Sequence, residues 1–289
     1  MAILRDLPGL ETTIEVGGET VQEYDVPNTC KVGVKTDIVM EIAEDSFTVT
    51  LDAKNIPRVI KYVEATTDKQ FGFRFRKQPP FIHSSHHLAI EAQFDGIRTP
   101  LKHLLDVNPF INSWDVLHDR VVGRCDGNII YSDHVFKFGD LTIVEPGEEP
   151  LENLERQKLC AHDRGTLRLF VYKMNDSPSR RVVKGSRLPL SFADDQKQLP
   201  REVCKPRALT HQVCFERQFP PNQLLNQEQH YDDYKDDMRR PCAIFEFRYR
   251  SKQGLLEEGV ISRIEPIDGL PAEEIKRLAR VGLEYEEVS

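Results

Sequence analysis

The stretch Ala243–Ser251, AIFEFRYRS, decides the fold class of this chain. Phe245, Phe247 and Tyr249 alternate in it with charged residues. Successive side chains of a strand point to opposite faces, so a period of two predicts a half-buried strand with one aromatic and one charged face. A single strand is not stable without partners. We therefore predict that this C-terminal strand joins a sheet built mostly by the first half of the chain.

Alternating apolar and polar stretches of the same kind fill the first half of the chain, as in FGFRFR at residues 71–76. Asp95-Gly96 and Asp126-Gly127 are dipeptides suited to tight hairpins, because Gly tolerates a positive φ. Many short strands with no strand–helix–strand rhythm favour a sandwich over an α/β design. The predicted fold class is mainly β: an antiparallel β-sandwich with a long irregular segment and C-terminal helices packed on the sheet.

Prolines and polar residues interrupt the alternating pattern in the second half of the chain. We predict a β-sandwich core over residues 1–175 and an irregular, partly disordered segment over 176–240, with an ordered island at Ala208–Phe215. Residues 241–289 then supply the closing strand and two helices of the same domain.

The two C-terminal helices are predicted from their boundary residues. Ser251 is a suitable N-cap and Gly259 a suitable stop, which places a short helix over Lys252–Glu258. Pro271 suits the first turn of a second helix, and an apolar stripe follows it.

Composition limits the partners and the location of the protein. The net charge of −8 disfavours a duplex nucleic acid as a partner, because phosphate contacts need a basic face. The chain has no run of about 18 consecutive apolar residues, so we predict no membrane helix. Arg5, Asp6 and Pro8 interrupt the N-terminal apolar stretch, so we expect no secretory signal. The six cysteines form no C-x-x-C pair and are expected to be reduced, in the cytoplasm or the nucleus of a cell.

One histidine cluster raises the question of a metal. His83, His86 and His87 form H-x-x-H-H, and imidazoles are good zinc ligands. No neighbouring Cys completes a ligand set, and the Glu of the metalloprotease motifs is missing. We therefore predict a polar loop between Pro80 and Leu88, no metal and no cofactor. The alternative is a metal site made by the three histidines.

Nucleophilic catalysis is not predicted by any motif. The chain lacks G-x-S-x-G, a Walker loop and G-x-G-x-x-G. Cysteines that could act with a histidine base are more often small buried side chains. The candidates are Cys125, Cys160, Cys204 and Cys214, with His118, His134, His162 or His211. Trp114 and Asp115 are assigned to core and turn, and the balance favours a protein that is not an enzyme.

Four arginines are candidates for an anion site. FGFRFR and FEFRYR are near copies, and each carries two arginines on its polar face: Arg74, Arg76, Arg248 and Arg250. If the two strands lay close together, the four guanidiniums would share a surface suited to phosphate or carboxylate. The alternative is that each arginine pairs with an acidic neighbour across its sheet.

Five blocks of sequence together carry a family resemblance. They are LPGLETTIEVGGETVQEYD near the start, KYVEA at 61–65, GTLRLFVYK at 165–173, RALTHQVCF at 207–215, and AIFEFRYRS followed by LPAEEIKRLAR. With these blocks the chain resembles an uncharacterised fungal domain family of unknown function. The resemblance implies a mostly β fold and an intracellular protein, and it assigns no functional residue. Residues 26–57 depart from the family pattern, as an added hairpin or as translated non-coding sequence.

The predicted function is a non-catalytic intracellular protein-interaction module whose partner is another protein. Two alternatives stay open. One is a metal-dependent or hydrolytic enzyme with a site assembled from distant residues. The other is an anion or nucleic-acid binder that uses the arginine faces.

Overall fold

The computed structural model describes residues 2–3, 8–27, 37–42, 47–52, 56–79, 87–106, 114–118, 120–125, 130–144, 163–175, 180–183, 198–200, 204, 208–217, 228–231 and 240–262. This part of the chain is mainly β. Its strands are β1 (Ala2–Ile3), β2 (Leu10–Val16), β3 (Glu19–Thr20), β4 (Glu23–Asp25), β5 (Asp37–Ile42), β6 (Phe47–Asp52), β7 (Arg58–Glu64), β8 (Gln70–Lys77), β9 (His87–Phe94), β10 (Ile97–Asp106), β11 (Trp114–His118), β12 (Arg120–Cys125), β13 (Ile130–Asp140), β14 (Thr142–Val144), β15 (Thr166–Lys173), β16 (Arg180–Val183), β17 (Gln198–Pro200), β18 (His211–Arg217), β19 (Glu228–Tyr231) and β20 (Ala243–Arg250).

Two eight-stranded sheets contain most of these strands. In sheet I the order is β1-β2-β8-β13-β12, with β3 beside β2, β11 beside β8 and β18 beside β13. In sheet II the order is β4-β7-β20-β15-β9-β10-β5-β6. Two small sheets, β14-β17 and β16-β19, complete the pairing of the described strands. The four strands β16 to β19 lie within residues 176–240, and β18 overlaps the island predicted at Ala208–Phe215.

The pairing is mostly antiparallel, and the prediction of an antiparallel sheet needs a correction at three places. β20 pairs parallel with β7, β5 meets β10 in one parallel bridge, and β14 pairs parallel with β17. A parallel pair needs a long crossover between its strands. The long stretch of chain between β7 and β20 meets that requirement.

β20 is the strand that the AIFEFRYRS stretch predicted, and it lies inside sheet II between β7 and β15. Phe247 is opposite Lys61 on one side and Leu167 on the other. The prediction of a half-buried strand was wrong about its charged face, because Glu246 is 1% exposed and Arg250 is 4% exposed. Charged groups are found at such depth when other charges and hydrogen bonds satisfy them.

Two hairpins of the described chain turn on dipeptides with positive φ at both central positions. Asp95 has a φ of 53° and Gly96 of 87°, and Phe94 pairs with Ile97 across them. Gly17 and Gly18 have φ values of 62° and 86° between β2 and β3. This geometry belongs to the type I′ turn, whose twist matches that of the flanking strands. The hairpin predicted at Asp95-Gly96 is therefore confirmed, whereas residues 126–129, between β12 and β13, lie outside the described part of the chain.

One apolar cluster takes side chains from both large sheets. Phe94 of sheet II stacks on Phe73 of sheet I with ring centroids 5.8 Å apart, and its ring is 4.9 Å from that of Phe136. Phe138 of sheet I lies 5.0 Å from Tyr249 of sheet II. Burying an aromatic side chain contributes about 2 kcal/mol or more, so these rings stabilise the contact between the two sheets.

A six-residue helix, α1 (Lys252–Glu257), follows β20 directly. Ser251 caps it, since its Oγ accepts a hydrogen bond from the Gly254 amide at 3.1 Å, and Gly259 follows with a φ of 68°. The prediction named two C-terminal helices packed on the sheet. The structure describes this short one, and the second, predicted from Pro271, lies outside the described residues.

Residues 26–57 contain β5 and β6, which pair antiparallel from Asp37↔Asp52 to Ile42↔Phe47. β5 meets the rest of sheet II through the register pair Ile97↔Glu41, and both alternatives for the origin of residues 26–57 stay open. Within the residues described here, no helix has the length and apolar character needed to cross a bilayer.

Candidate functional site

The charged face of β20 carries the most concentrated chemistry of the described chain. Glu246 is paired in register with Arg168 of β15, and Arg168 is paired with Gln93 of β9. All three side chains are buried, at 1%, 5% and 0% exposure. Because cross-strand neighbours lie about 5 Å apart, three adjacent strands bring these polar groups into one row.

Three guanidiniums share the carboxylate of Glu246. Arg168 Nε donates to Glu246 Oε2 at 2.8 Å, Arg248 Nε donates to Oε1 at 3.0 Å, and Arg58 Nη2 donates to Oε2. Burial alone would raise the pKa of Glu246, but the three positive charges outweigh it and hold that pKa well below its usual range. We call Glu246, Arg58, Arg168 and Arg248 the ion cluster.

Arg168 is the best satisfied member of the ion cluster. Its Nη2 donates to Asp163 at 2.8 Å, and its Nη1 donates to the side-chain oxygen of Gln93 at 2.9 Å. Burial by itself would lower the pKa of Arg168, and the carboxylates of Glu246 and Asp163 instead raise it. Arg58 has the opposite balance: its pKa is lowered by burial and by the charges of Arg168 and Arg248, although Glu246 works against them.

The end of β20 continues the polar row toward α1. The guanidinium carbons of Arg248 and Arg250 each lie 5.8 Å from the centre of the Tyr62 ring, within the range of a cation–π contact. Tyr62 donates its hydroxyl proton to Glu258 at 2.7 Å, and Arg250 also donates to that carboxylate. Arg250 Nη1 reaches the carbonyl oxygen of Gly165 at 2.8 Å.

Gly165 is the position where this packing needs glycine. Its φ is +68°, and a Cβ there would lie 2.4 Å from Arg250 Nη1 and 2.6 Å from a methyl of Leu209. No larger residue fits without moving these neighbours.

A second buried carboxylate, Asp95, joins the two large sheets. Its oxygens accept hydrogen bonds from the amide of Gly165 at 2.9 Å, the amide of Val213 at 2.8 Å and the hydroxyl of Tyr249 at 2.5 Å. Val213 belongs to sheet I and Tyr249 to sheet II. Burial and the charge of Asp95 raise the pKa of Tyr249 well above its usual value, so the phenol remains a donor. We interpret Asp95 as a structural residue.

The four predicted anion-binding arginines are divided between the sheets. Arg74 and Arg76 lie on β8 of sheet I, and Arg248 and Arg250 lie on β20 of sheet II. Arg74 donates to both oxygens of Glu15 across β2. The structure thus brings the arginines together in two pairs, and Arg74, Arg248 and Arg250 each have an acidic partner. A site shared by all four arginines stays a prediction, and its two halves would lie on different sheets.

The predicted metal ligands are only partly described. His87 begins β9, and its Nδ1 is buried without a hydrogen-bond partner among the described residues. His83 and His86 lie outside that part of the chain. Within it, no three His, Cys, Asp or Glu side chains gather as a metal site would require. An enzyme site assembled around these histidines therefore stays a prediction.

Among the candidate bases whose side chains the structure describes, His211 has a polar cluster around it. Its Nε2 lies 3.1 Å from Thr67 Oγ1 and its Nδ1 lies 2.7 Å from Thr210 Oγ1, while Thr67 Oγ1 is 2.7 Å from Asp140 Oδ1. An ionised Asp140 can only accept, so the Thr67 proton points to it and His211 Nε2–H donates to Thr67. The imidazole therefore has no lone pair toward Thr67, and it cannot activate that hydroxyl as a nucleophile.

The cysteine candidates are dispersed. Burial raises the pKa of the Cys204 thiol, which makes it a poor nucleophile. Cys125, His118 and His134 lie on β12, β11 and β13, and Trp114 and Asp115 also lie on β11. Cys214 belongs to β18. Cys160 and His162 lie outside the described residues.

Sequence inspection missed Asp95, Arg168, Arg58 and Tyr62 as members of polar networks. One signal was present: Arg168 and Glu246 are charged residues in the middle of apolar strands, where an ion pair is needed. The Asp95-Gly96 dipeptide indicates a turn and gives no sign that Asp95 is buried.

The fold and the ion cluster define a mainly β domain that holds a buried ionic row on one of its two large sheets. The family described as Domain of unknown function (DUF7918) matches residues 9–264, and the chain belongs to that family. The resemblance to an uncharacterised family of unknown function is thereby confirmed. No curated protein and no solved structure matches the chain.

Proposed function

We propose that the protein is a non-catalytic, intracellular protein-interaction module that binds an extended segment of its partner by strand addition at β6. One observation carries this proposal: β6 ends the strand order of sheet II and, among the described strands, pairs only with β5. An edge strand presents a row of unpaired N–H and C=O groups, and an extended peptide can complete them.

The composition of β6 supports this use of its edge. The strand reads FTVTLD, with no Pro and no Lys, which are the residues that commonly protect edges. In this sequence phenylalanine, valine and leucine alternate with threonine. A strand added at this edge would therefore extend one apolar and one polar face of the sheet. The opposite edge of sheet II, β4, is only three residues long.

The ionisable clusters favour binding over catalysis. General acid–base catalysis needs groups with a pKa near the working pH. The pKa of Glu246 is held far below neutrality and that of Tyr249 far above it, so both keep one protonation state. Cys204 and Cys242 form no disulfide, which supports a reducing, intracellular location. The fungal origin implied by the resemblance stays a prediction.

We also infer a β-sandwich in which residues 1–175 and 241–289 form one domain. The ring contacts of Phe94 and Phe138 across the two sheets support the stacking, and the position of β20 between β7 and β15 supports the single domain. We expect a chain ending at residue 176 to be insoluble or molten, because it leaves the edges of β7 and β15 open. A soluble, cooperatively unfolding fragment would contradict this.

A peptide library tests the strand addition. We expect peptides selected from a phage-displayed random library on the full chain to protect amides of residues 47–52 from hydrogen exchange. Consecutive N–H groups of a strand point to opposite edges. One of the two substitutions Val49→Pro and Thr50→Pro therefore removes a donor at the open edge of β6, the outward substitution, and the other removes a donor toward β5. The outward substitution should weaken peptide binding about tenfold or more, since main-chain hydrogen bonds give such complexes their affinity. Thr20→Pro, on the exposed strand β3, is the control that should leave binding unchanged. Protection at another strand, or binding indifferent to both substitutions at β6, would refute the proposal.

A further inference from the structure

Arg248 is the most exposed member of the ion cluster, with 21% of its side chain accessible to solvent against 12% for Arg58 and 6% for Arg168. Its only acidic hydrogen-bond partner among the described residues is Glu246, at 3.0 Å. That single carboxylate is shared with Arg168 and Arg58. Arg250, two residues further along the same face, has Glu258 as its own partner. Glu246 thus serves three guanidiniums, of which Arg168 also has Asp163 as an acidic partner.

The other acidic groups near this face are engaged elsewhere. Glu258 accepts from Tyr62 and Arg250, and Asp163 accepts from Arg168. Glu91, on the same face of β9, lies in register with Lys102 and Phe170, two strands away from β20. Burial by itself would lower the pKa of Arg248, but Glu246 and the Tyr62 hydroxyl raise it, so its guanidinium keeps its charge.

The geometry of Arg248 leaves one end of its guanidinium available to solvent. Its Nε points inward to Glu246, and its Nη1 makes a long contact of 3.4 Å with the Tyr62 hydroxyl. Within the described residues its Nη2 donates no hydrogen bond, and 21% of the Arg248 side chain is exposed, compared with 1% of Glu246. The Nε end of the guanidinium is thus held by Glu246, whereas its Nη2 is not among the buried polar atoms and is open to solvent.

We propose that Arg248 binds a carboxylate group of a ligand through Nη1 and Nη2, beside the ring of Tyr62. Two parallel N–H···O bonds from one guanidinium match the spacing of the two oxygens of a carboxylate. The Nε bond to Glu246 fixes the plane of the guanidinium before the ligand arrives, which lowers the entropic cost of binding. The site lies on β20 beside β7, at the other end of sheet II from β6, so it does not depend on strand addition.

Arginine-selective NMR on the full chain tests this site. The Nε–Hε resonance of Arg248 is followed during titration with succinate, with inorganic phosphate and with chloride at matched ionic strength. A three-atom carboxylate contact corresponds to a dissociation constant of about 1 mM. We expect a saturable shift with succinate and none with chloride. A peptide blocked at both ends and carrying one Glu should bind as succinate does if a protein side chain can supply the group.

Variants assign the shift to Arg248. Arg248→Gln removes the fork and should weaken succinate binding at least about tenfold. Arg74→Gln, which alters an arginine paired with Glu15 on the other sheet, should leave it unchanged. If Arg248→Gln lowers the urea midpoint, Arg248→Lys replaces it, because it keeps the charge and loses the fork. Equal responses to all three anions, or wild-type affinity in the Arg248 variants, would overturn the proposal. Tighter binding of phosphate than of succinate would overturn the assignment to a carboxylate.

Discussion

Removing one oxygen, the hydroxyl of Tyr249, should measure how strongly Asp95 ties the two large sheets together. Tyr249 is 1% exposed and donates to Asp95 Oδ1 at 2.5 Å, and the Asp95 side chain is fully buried. Tyr249→Phe keeps the ring in the core and deletes only this bond. A hydrogen bond to a charged group contributes about 1.5–3 kcal/mol, so the free energy of unfolding should fall by about 2 kcal/mol.

The remaining partners of Asp95 set the upper limit of that loss. The amides of Gly165 and Val213 still donate to Asp95 in the Tyr249→Phe variant, so its buried charge keeps two hydrogen bonds. Asp95→Asn is a harsher change, because its amide group can present only one acceptor oxygen to two backbone donors. We expect it to cost about 3–5 kcal/mol, the range for breaking a buried charged interaction.

Urea denaturation provides the measurement. A lower midpoint with an unchanged slope reports lost stability without a change in the unfolded state. Tyr24→Phe is the matched control, because Tyr24 is half-buried and its hydroxyl has no hydrogen bond within the described residues. The double variant Tyr249→Phe/Asp95→Asn should lose less than the sum of the single losses, since the two residues share one interaction. If Tyr249→Phe and Tyr24→Phe agree within about 0.5 kcal/mol, the bond makes no contribution and the reasoning fails.

Three further predictions concern the core, the ion cluster and a thiol. Phe247→Ala should lower the free energy of unfolding in urea by about 3–5 kcal/mol, because the side chain is fully buried between the sheets; a loss under 1 kcal/mol would contradict its place in the core. The folded state lowers the pKa of Glu246 from 4.5, so the contribution of its carboxylate to stability is complete above that pH and is lost as the pH falls. The wild type should therefore lose more free energy of unfolding between about pH 5 and pH 3 than Glu246→Gln. An equal dependence of stability on pH in the two proteins would oppose this. Burial raises the pKa of Cys242 to about 11, so iodoacetamide at pH 8 should alkylate it about 100-fold more slowly in the folded than in the unfolded chain, as followed by peptide mass spectrometry; equal rates would show an accessible thiolate.

Local sequence was sufficient for those features that depend on neighbouring residues. The alternation in AIFEFRYRS predicted β20, because a strand sends successive side chains to opposite faces whatever its partners are. Asp95-Gly96 predicted a tight turn, because the φ values it needs are tolerated by these two residue types. Ser251 predicted the start of α1 for an equally local reason, the hydrogen bond from its side chain to Gly254.

The tertiary structure alone decided which of these elements meet. Arg58 and Glu246 are 188 residues apart, Tyr249 and Asp95 are 154 apart, and Arg168 and Glu246 are 78 apart. Periodicity shows that a strand has a charged face, but it contains no information on the strand that will lie beside that face. From the sequence, the charged face of β20 was therefore expected to face solvent. In the structure β20 lies between β7 and β15, where this face is buried and meets side chains of opposite and like charge. A polar face is compatible with either outcome, because the free energy of a charge depends on the groups around it and not on its position in the sequence.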